Sequence, residues 1–368
     1  MFDFIDFSKC EYSDRHGTYG GNAGDKDGIF YNDEYWIVKY PKSTRSMKGL
    51  EDINYVSSPL SEYIGSHIYE ILGIEAHETK LGFRNDKLVV GCKDFCEFTG
   101  QLREMRTLKN AAYSELSEKI EQELGHSSTG DRVNLNETLL HLQYNPFINK
   151  VNGAIEQFWK SAIIDILIGN NDRNNGNWGI LYHPDTKSFS MAPVFDNGNA
   201  FYNKMSEEKI IRLYQEGYDK VNEISCGLRT AYDYNDKVLS AKKMFTTINN
   251  PDLEKALTEL GPMIKSKIPE INEMINEIPN TTNGYNIISD ARKKFYCDSI
   301  RCRYEHIIEP AFITVKGSNE KNGQTYVDNG RFTASPGELI QNFSSTSKHK
   351  NTTKEKNIQT PTQKGETI

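Results

Sequence analysis

The clearest pattern of apolar residues lies between residues 155 and 168. Apolar side chains recur there at helical spacing, as Ile155, Phe158, Trp159, Ala162, Ile163, Ile166 and Leu167. Such a stripe predicts a helix with one buried face. Gly169 follows the stripe, and glycine commonly ends a helix, so we expect the helix to stop near Ile168.

The residues after this helix predict a loop and then a hairpin. Residues 170–177 are almost all polar, which is typical of a loop. Residues 180–182 predict a strand, residues 183–187 a turn, and residues 189–195 the returning strand. The sequence therefore predicts a helix, a polar loop and a hairpin in this order, and the candidate catalytic residues lie in the loop and after the hairpin.

Three polar side chains stand in this frame where phosphoryl transfer would need them. Asp172 and Asn177 lie in the loop, and Asp196 follows the return strand. One carboxylate can accept the proton of an attacking hydroxyl, while an Asn oxygen and a second carboxylate can hold the Mg²⁺ that bridges the phosphates of ATP. Protein kinases use the same D-x-x-x-x-N spacing with a later metal-binding Asp. The competing interpretation is an ordinary surface loop, since Asn and Asp suit turns.

A glycine-rich segment near the start of the chain predicts a phosphate-binding loop. Residues 17–28 contain Gly20, Gly21 and Gly24, followed by Lys26. Glycine lets backbone N–H groups approach phosphates without interference from a Cβ atom. A plain flexible loop would have the same composition. The glycines therefore support a phosphate-binding loop only in combination with the other kinase-like motifs.

Lys39 is the candidate lysine for the ATP phosphates. It stands in an apolar strand over residues 34–40, after a first strand over residues 28–31. Burying an ammonium group without a partner is costly, so we expect phosphates and a carboxylate beside it. The alternative is a lysine on an edge strand with its side chain in solvent.

The helix that follows offers the carboxylate. Ser58 is its predicted N-cap, Pro59 its first residue and Gly73 its stop. Its apolar stripe consists of Leu60, Ile64, Ile68 and Ile71. Glu62, in the first turn, is the predicted partner of Lys39, and Glu70 is the second choice. An acid in the first turn also favours the helix dipole, which is the plainer explanation of Glu62.

Two short strands, over residues 76–81 and 88–92, follow this helix. The second runs into Lys93 and Phe95, where we expect a hinge that presents backbone groups to adenine. Lys93 and Phe95 are therefore candidate ATP contacts.

The remaining residues predict a helical second half and a polar tail. Helices are expected over residues 97–125, 134–142, 251–277 and 289–308, the third of them interrupted at Gly261-Pro262 and at Pro269. From Lys316 onward the chain lacks apolar clusters and predicts disorder. The expected organisation is an N-lobe over 1–95, a C-lobe over 96–315 and a tail over 316–368.

Net charge and hydropathy argue against a nucleic-acid-binding protein and against a membrane-spanning protein. The 368 residues carry a net charge of −7, which argues against strong non-specific binding of nucleic acid. No apolar run has transmembrane length and the start lacks a basic segment, so a cytoplasmic protein is expected and secretion stays open.

The six cysteines do not imply a disulfide framework. Cys92 with Cys96, and Cys297 with Cys302, lack the C-x-x-C spacing of a zinc knuckle. We expect buried or free thiols rather than metal ligands.

Four of these motifs together resemble the HipA-like serine/threonine kinases, and in particular their compact CtkA-like branch. The motifs are the strand Lys-x-Pro, the Ser-Glu-Tyr helix, Ile-Gly-Asn-Asn-Asp-Arg-x-x-x-Asn-Trp-Gly and Ala-Pro-Val-Phe-Asp-Asn-Gly, at residues 39–41, 61–63, 168–179 and 192–198. The resemblance runs from about Gly17 to about Phe312.

The resemblance implies an α+β, two-lobed protein-kinase-like fold with a strand-rich N-lobe and a helical C-lobe. It implies an ATP- and Mg²⁺-dependent serine/threonine protein kinase, toxin-like or signalling, that also phosphorylates itself. Asp172 would be the base, Asn177 and Asp196 the metal ligands, and Lys39 the phosphate lysine held by Glu62. The implied partners are a protein substrate and an antitoxin or regulatory protein, without direct contact to nucleic acid or membrane.

Two features differ from HipA itself. The glycine-rich loop begins too early for a preceding domain, and it contains Thr18 but no serine. Both differences argue against loop phosphorylation and against HipA-type antitoxin docking. Two other functions stay open: a kinase for small molecules or lipids, and a nucleotide-binding module without activity.

Overall fold

A computed structural model of the chain describes residues 2–17, 25–96, 100–110, 114–125 and 132–321. Five strands near the amino terminus form one sheet. They are β1 (Phe4–Asp6), β2 (Lys26–Tyr31), β3 (Glu34–Lys39), β4 (Thr79–Arg84) and β5 (Lys87–Lys93). Their order is β1-β4-β5-β3-β2, with only β1 and β4 parallel.

Local sequence explains how this sheet is built. Asn32-Asp33 and Asn85-Asp86 turn β2 into β3 and β4 into β5, and all four residues have positive φ angles. Such two-residue turns match the twist of a hairpin, and Asn and Asp tolerate the left-handed conformation. One face of the sheet is covered by helix α1 (Ser58–Ile71), which packs on β4 and β5. The helix begins at Ser58, so its N-cap is Ser57 rather than the predicted Ser58.

The rest of the described chain is mainly helical, with short strands between the helices. The strands are β6 (Gln101–Glu104), β7 (Val133–Asn134), β8 (Gly179–His183), β9 (Ser188–Met191), β10 (Arg229–Tyr234), β11 (Lys237–Ser240), β12 (Thr281–Thr282) and β13 (Tyr285–Asn286). They form the sheets β6-β8-β9, β11-β10-β7 and β12-β13.

Most helices of this part pack around one large apolar core. The helices are α2 (Met105–Asn110), α3 (Ser114–Leu124), α4 (Leu135–Tyr144), α5 (Ala154–Ile168), α6 (Glu207–Glu216), α7 (Tyr218–Cys226), α8 (Ala241–Thr247), α9 (Pro251–Glu277), α10 (Asp290–Arg303) and α11 (Glu309–Lys321). Helix α3 packs with α4 around a smaller apolar core. A π-helical turn, Tyr304–Ile308, joins the last two. Helix α5 lies at the centre, packed against α9 and α10. None of the described helices is both long enough and apolar enough to cross a membrane.

The predicted frame around the candidate site is present. Helix α5 ends at Ile168, and Gly169 follows in the left-handed conformation with φ 73°. The return strand is shorter than predicted, because β9 stops at Met191. Pro193 has no N–H to continue the ladder, and Val194 pairs instead with the segment around Ala76.

Helix α9 corrects the sequence-based prediction. It runs without interruption through Pro262 and Pro269, although both residues were expected to break it. Both prolines are exposed, where a lost backbone hydrogen bond bends a helix without ending it. A buried stripe holds the helix in place on the other side, formed by Leu253, Leu257, Leu260, Ile264, Ile271 and Ile275.

The strand-rich and helical parts belong to one structural unit, Met1–Lys321. The region expected to be helical over residues 97–125 begins with strand β6 and continues as α2 and α3 in its described parts. Helix α11 extends to Lys321, so residues 316–321, assigned to the tail by sequence, lie in a helix. The rest of the predicted tail lies outside the described residues.

Candidate active site

Lys39 lies at the centre of a cluster of charged groups. Strand β3 runs between β2 and β5, so Lys39 is not on an edge strand, as the solvent-facing alternative required. Its Nζ lies 3.3 Å from Oε1 of Glu62 and in closer contact with Oδ1 of Asp196. Glu70, the second choice, is exposed on α1. The structure thus joins Lys39, Glu62 and Asp196, which are far apart in sequence.

His77 is a fourth member of this cluster. Its Nε2 lies 2.8 Å from Oε1 of Glu62, and both side chains are buried. The backbone N–H of His77 donates to the carbonyl of Val194, two residues before Asp196. His77 is therefore fixed between Glu62 and the strand that leads to Asp196.

Two glycines allow α1 to approach the residues that follow Asp196. A Cβ atom on Gly65 would lie 2.8 Å from Cβ of Asn197, and one on Gly198 would lie 3.0 Å from Oε2 of Glu62. Asn197 also donates from Nδ2 to Oγ of Ser66 at 3.1 Å. The glycines keep the helix that carries Glu62 in direct contact with the Asp-Asn-Gly segment.

The electrostatics of the cluster follow from its mutual contacts. Burial would lower the pKa of Lys39, but the carboxylates of Asp196 and Glu62 outweigh burial and hold that pKa well above its usual value. Burial would raise the pKa of Glu62 and of Asp196, yet the ammonium of Lys39 lowers both overall. His77 acts in the same direction on Glu62, as does a backbone hydrogen bond from Asn197.

These shifts fix the pH range over which the cluster is charged. The stabilisation that Glu62 contributes is present above its ordinary pKa of 4.5 and is lost as pH falls through the lowered pKa of the folded state. The contribution of Lys39 is present below 10.5 and is lost as pH rises through its raised pKa. A pH dependence of activity between about 5 and 10 would therefore not come from the titration of Lys39 or Glu62.

Asp172 lies in the loop after α5 with its side chain exposed. The backbone N–H of Asp172 donates to Oδ1 of Asn170 at 3.1 Å, and Nδ2 of Asn177 donates to the carbonyl of Asp172 at 2.7 Å. Nδ2 of Asn174 lies 3.3 Å from the Asp172 carboxylate. These bonds shape the loop while leaving the carboxylate of Asp172 accessible to an incoming hydroxyl group.

The buried guanidinium of Arg173 connects this loop to Asp196. It pairs with Asp165 of α5, with Nε 2.9 Å from Oδ2 and Nη2 3.0 Å from Oδ1. Nη1 donates to the carbonyl of Asn177 at 3.0 Å and to the carbonyl of Phe195, and Nη2 donates to Oδ1 of Asn197 at 2.6 Å. Arg173 thus fixes the loop of Asp172 against the residues on either side of Asp196.

We expect Arg173→Met to lower the free energy of unfolding by about 3–5 kcal/mol, because it leaves the carboxylate of Asp165 buried without its partner. The two side chains are only 4% and 2% exposed. Denaturant unfolding of the purified variant is the measurement. The control is Arg132→Met, which removes an exposed pairing with Asp233 and should change stability by less than about 1 kcal/mol. Equal losses in the two variants would show that the Arg173 network does not hold the loop.

Asn177 and Asp196 have the donor chemistry for Mg²⁺, which prefers carboxylate and carbonyl oxygens. Asn177 uses its Nδ2 on the backbone of Asp172, so its Oδ1 is the amide atom suited to a metal. Asp196 has a φ of 57°, a rare conformation for a residue other than glycine. Such backbone geometry persists where the surrounding structure enforces it, commonly at functional sites.

A second set of potential metal ligands lies nearby. Among the described residues, Glu62, His77 and Cys92 form the only such group, with ligand atoms within 4.8 Å of one another. The ammonium of Lys39 already lies 3.3 Å from the same oxygen of Glu62 that faces His77. A metal cation placed there would be repelled at short range by Lys39, so the group does not fit a metal.

The glycine-rich segment supplied four further predicted ATP contacts, of which the structure describes Lys26. Lys26 lies directly across from Lys39 in the β2–β3 pair, and its charge helps to lower the pKa of Asp196. Gly20, Gly21 and Gly24 lie outside the described residues.

At the predicted hinge, Lys93 and Asp94 form hydrogen bonds and an ion pair with other residues of the sheet region. The ammonium of Lys93 lies 2.6 Å from Glu34. The backbone N–H groups of Lys93 and Asp94 donate to the carbonyls of Glu78 and Tyr35. Phe95 packs its ring on Phe195, with centroids 5.5 Å apart. The amides of Lys93 and Asp94 are therefore engaged within the fold, and a hinge that presents backbone groups to adenine stays a prediction.

Comparison with known proteins gives the family. No family model matches the chain. The serine/threonine-protein kinase CtkA of Helicobacter pylori (strain J99) is 32% identical over 310 residues, which is 83% of this chain and 87% of that protein. The crystal structure of a Helicobacter pylori proinflammatory kinase CtkA matches with a TM-score of 0.72 and 29% identity, over 85% of this chain and 99% of that chain. Shewanella oneidensis HipA, in a complex with HipB and operator DNA, gives a TM-score of 0.49 and 12% identity, over 81% and 69%.

The similarity to CtkA is extensive in both sequence and structure. It extends over most of both chains, and the solved structure has the same α+β architecture. The resemblance to CtkA-like kinases inferred from the motifs is thereby confirmed: this chain belongs to the family of the CtkA serine/threonine-protein kinase.

Proposed function

We propose that this chain transfers the γ-phosphoryl group of ATP, with Mg²⁺, to serine or threonine hydroxyls of a protein substrate and of itself. The observation that carries the proposal is the position of the Lys39 ammonium between Glu62 and Asp196. The loop of Asp172 and Asn177 is tied through Arg173 to the backbone on either side of Asp196. These contacts support a single site for the groups that phosphoryl transfer requires.

Each residue has a distinct role in this proposal. Lys39 binds the ATP phosphates, and Glu62 keeps its ammonium in place, itself held by His77. Asp172 accepts the proton of the substrate hydroxyl and orients that hydroxyl for attack. Asn177 and Asp196 would hold Mg²⁺, whose positive charge would offset the negative charge of the ATP phosphates.

The test is incubation of the purified chain with γ-labelled ATP and Mg²⁺ in three mixtures: alone, with a protein extract, and with a small-molecule extract. We expect label on serine and threonine residues of the chain and of extract proteins, located by mass spectrometry. Asp172→Asn should remove both signals.

The same experiment separates the alternatives. Label that appears only in the small-molecule or lipid fraction would make the chain a kinase for small molecules or lipids. Saturable ATP binding without transfer to any fraction would make it a binding module. An antitoxin or regulatory partner stays a prediction from the family resemblance.

We expect Asn177→Ala and Asp196→Asn each to raise the Mg²⁺ concentration for half-maximal activity by about tenfold or more, because each removes an oxygen from a metal site with few protein ligands. Steady-state rates measured over a Mg²⁺ titration at saturating ATP are the readout. Asn149→Ala removes an exposed amide outside the site and should leave the titration unchanged. An unaltered Mg²⁺ dependence in either site variant would remove that residue from the metal site.

A further inference from the structure

The described cysteines include one close pair, at the interface of α7 and α10. Cys226 is the last residue of α7, and Cys302 is the penultimate residue of α10. Their Sγ atoms lie 2.9 Å apart, and the side chains are 6% and 2% exposed. The two residues are 76 positions apart in the sequence, so no local spacing indicated this pair.

The surroundings favour thiol chemistry over metal binding. The one group of three or more converging metal ligands among the described residues contains neither cysteine, whereas structural zinc sites use four ligands. Lys242 and Arg303 place positive charge near Cys226. Nearby positive charge favours the thiolate form of a cysteine, whereas burial opposes it.

The two thiols are also coupled. The hydrogen bond from the Cys302 thiol lowers the pKa of Cys226, while the same contact raises the pKa of Cys302. One proton is therefore released easily from the pair and the other is retained. A thiolate beside a protonated thiol is the starting arrangement for disulfide formation.

We propose that Cys226 and Cys302 are a redox modification site, at which hydrogen peroxide forms a reversible disulfide that fastens α7 to α10. The thiolate of Cys226 attacks a peroxide oxygen, which gives a sulfenic acid and, with one proton, water. The thiol of Cys302 then attacks the sulfenic sulfur, and its proton leaves with the sulfenic oxygen as a second water molecule. Two thiols lose two electrons and peroxide gains them, and a dithiol reductant restores the thiols.

The bond would stabilise the base of the catalytic loop. Arg303, next to Cys302, donates from Nε to the carbonyl of Ser225, next to Cys226, and from Nη1 to the carbonyl of Leu167 near the end of α5. A Cβ on Gly169 would lie 2.7 Å from this guanidinium. The pair therefore lies one residue from the contacts that hold the segment leading to Asp172.

The experiment compares the full chain reduced with dithiothreitol and oxidised with hydrogen peroxide, and it does not depend on the proposed kinase activity. Peptide mapping without reduction should show Cys226 linked to Cys302, two hydrogens lighter than the two free peptides and reversible by dithiothreitol. The oxidised chain should unfold about 5 °C or more above the reduced chain, since the bond closes a long loop.

Three variants control the interpretation. Cys226→Ser and Cys302→Ser should abolish this difference in unfolding temperature, and Cys297→Ser should preserve it. If a serine variant does not fold, the peptide map of the wild-type chain decides. The proposal is overturned if Cys226 and Cys302 stay reduced or become sulfinic acids without a linked peptide, or if either pairs with another cysteine.

Discussion

Replacing Asp172 with Asn is expected to slow phosphoryl transfer by about 10²- to 10⁴-fold, the usual contribution of a general base, while folding and ATP binding stay nearly unchanged. The carboxylate is exposed in the loop, and the buried contacts that hold this loop are made by its neighbour Arg173. An amide keeps the size of the side chain but cannot accept the proton. Initial rates with labelled ATP, a nucleotide titration and thermal unfolding measure the three properties.

The matched control for this variant is Asp185→Asn. Asp185 is also exposed and lies in the hairpin turn between β8 and β9, so it tests the loss of a surface charge alone. Asp185→Asn should have wild-type activity. If Asp172→Asn kept more than about a tenth of the activity, another group would be the base. A large fall in its unfolding temperature would instead make Asp172 a structural residue.

The features that could be predicted from the sequence are those set by neighbouring residues. The end of α5 follows from an apolar stripe and from Gly169, which adopts the left-handed conformation that other residues avoid. The hairpin after the loop follows from alternating apolar and turn residues. The position of Lys39 in an apolar strand indicated a charged partner by desolvation alone, and Glu62 is that partner.

The features that could not be predicted depend on residues brought together by the fold. His77 has no local signal, because its role depends on the pairing of its backbone with Val194. Arg173 stands in the loop motif directly after Asp172, but the sequence does not show that its guanidinium is buried against Asp165. Helix α9 continues through two prolines because its buried face holds it in place, which local propensity does not measure.

Lys39→Met is expected to reduce the rate of phosphoryl transfer by about 10²- to 10³-fold, the usual loss when one charge-stabilising donor is removed. Methionine keeps the length of the side chain but lacks the ammonium that would contact the phosphates. Glu62→Gln should do less damage, because Asp196 still contacts the ammonium. Lys39→Arg should not restore activity, since a planar guanidinium does not replace a compact ammonium. Steady-state kinetics of these variants are the measurement, and Lys80→Met, in strand β4 of the same sheet, is the control.

The double variant of Lys39→Met with Glu62→Gln tests whether the two residues act as a unit. If Glu62 acts only through Lys39, the double variant should be little slower than Lys39→Met alone. It should also be more stable than Lys39→Met, because that single change leaves the buried carboxylate of Glu62 without its nearby ammonium. Rate losses that simply multiply, together with a double variant less stable than either single one, would mean that the contact between Lys39 and Glu62 does not serve the reaction. Glu62 would then support the fold through His77 and the backbone of Asn197.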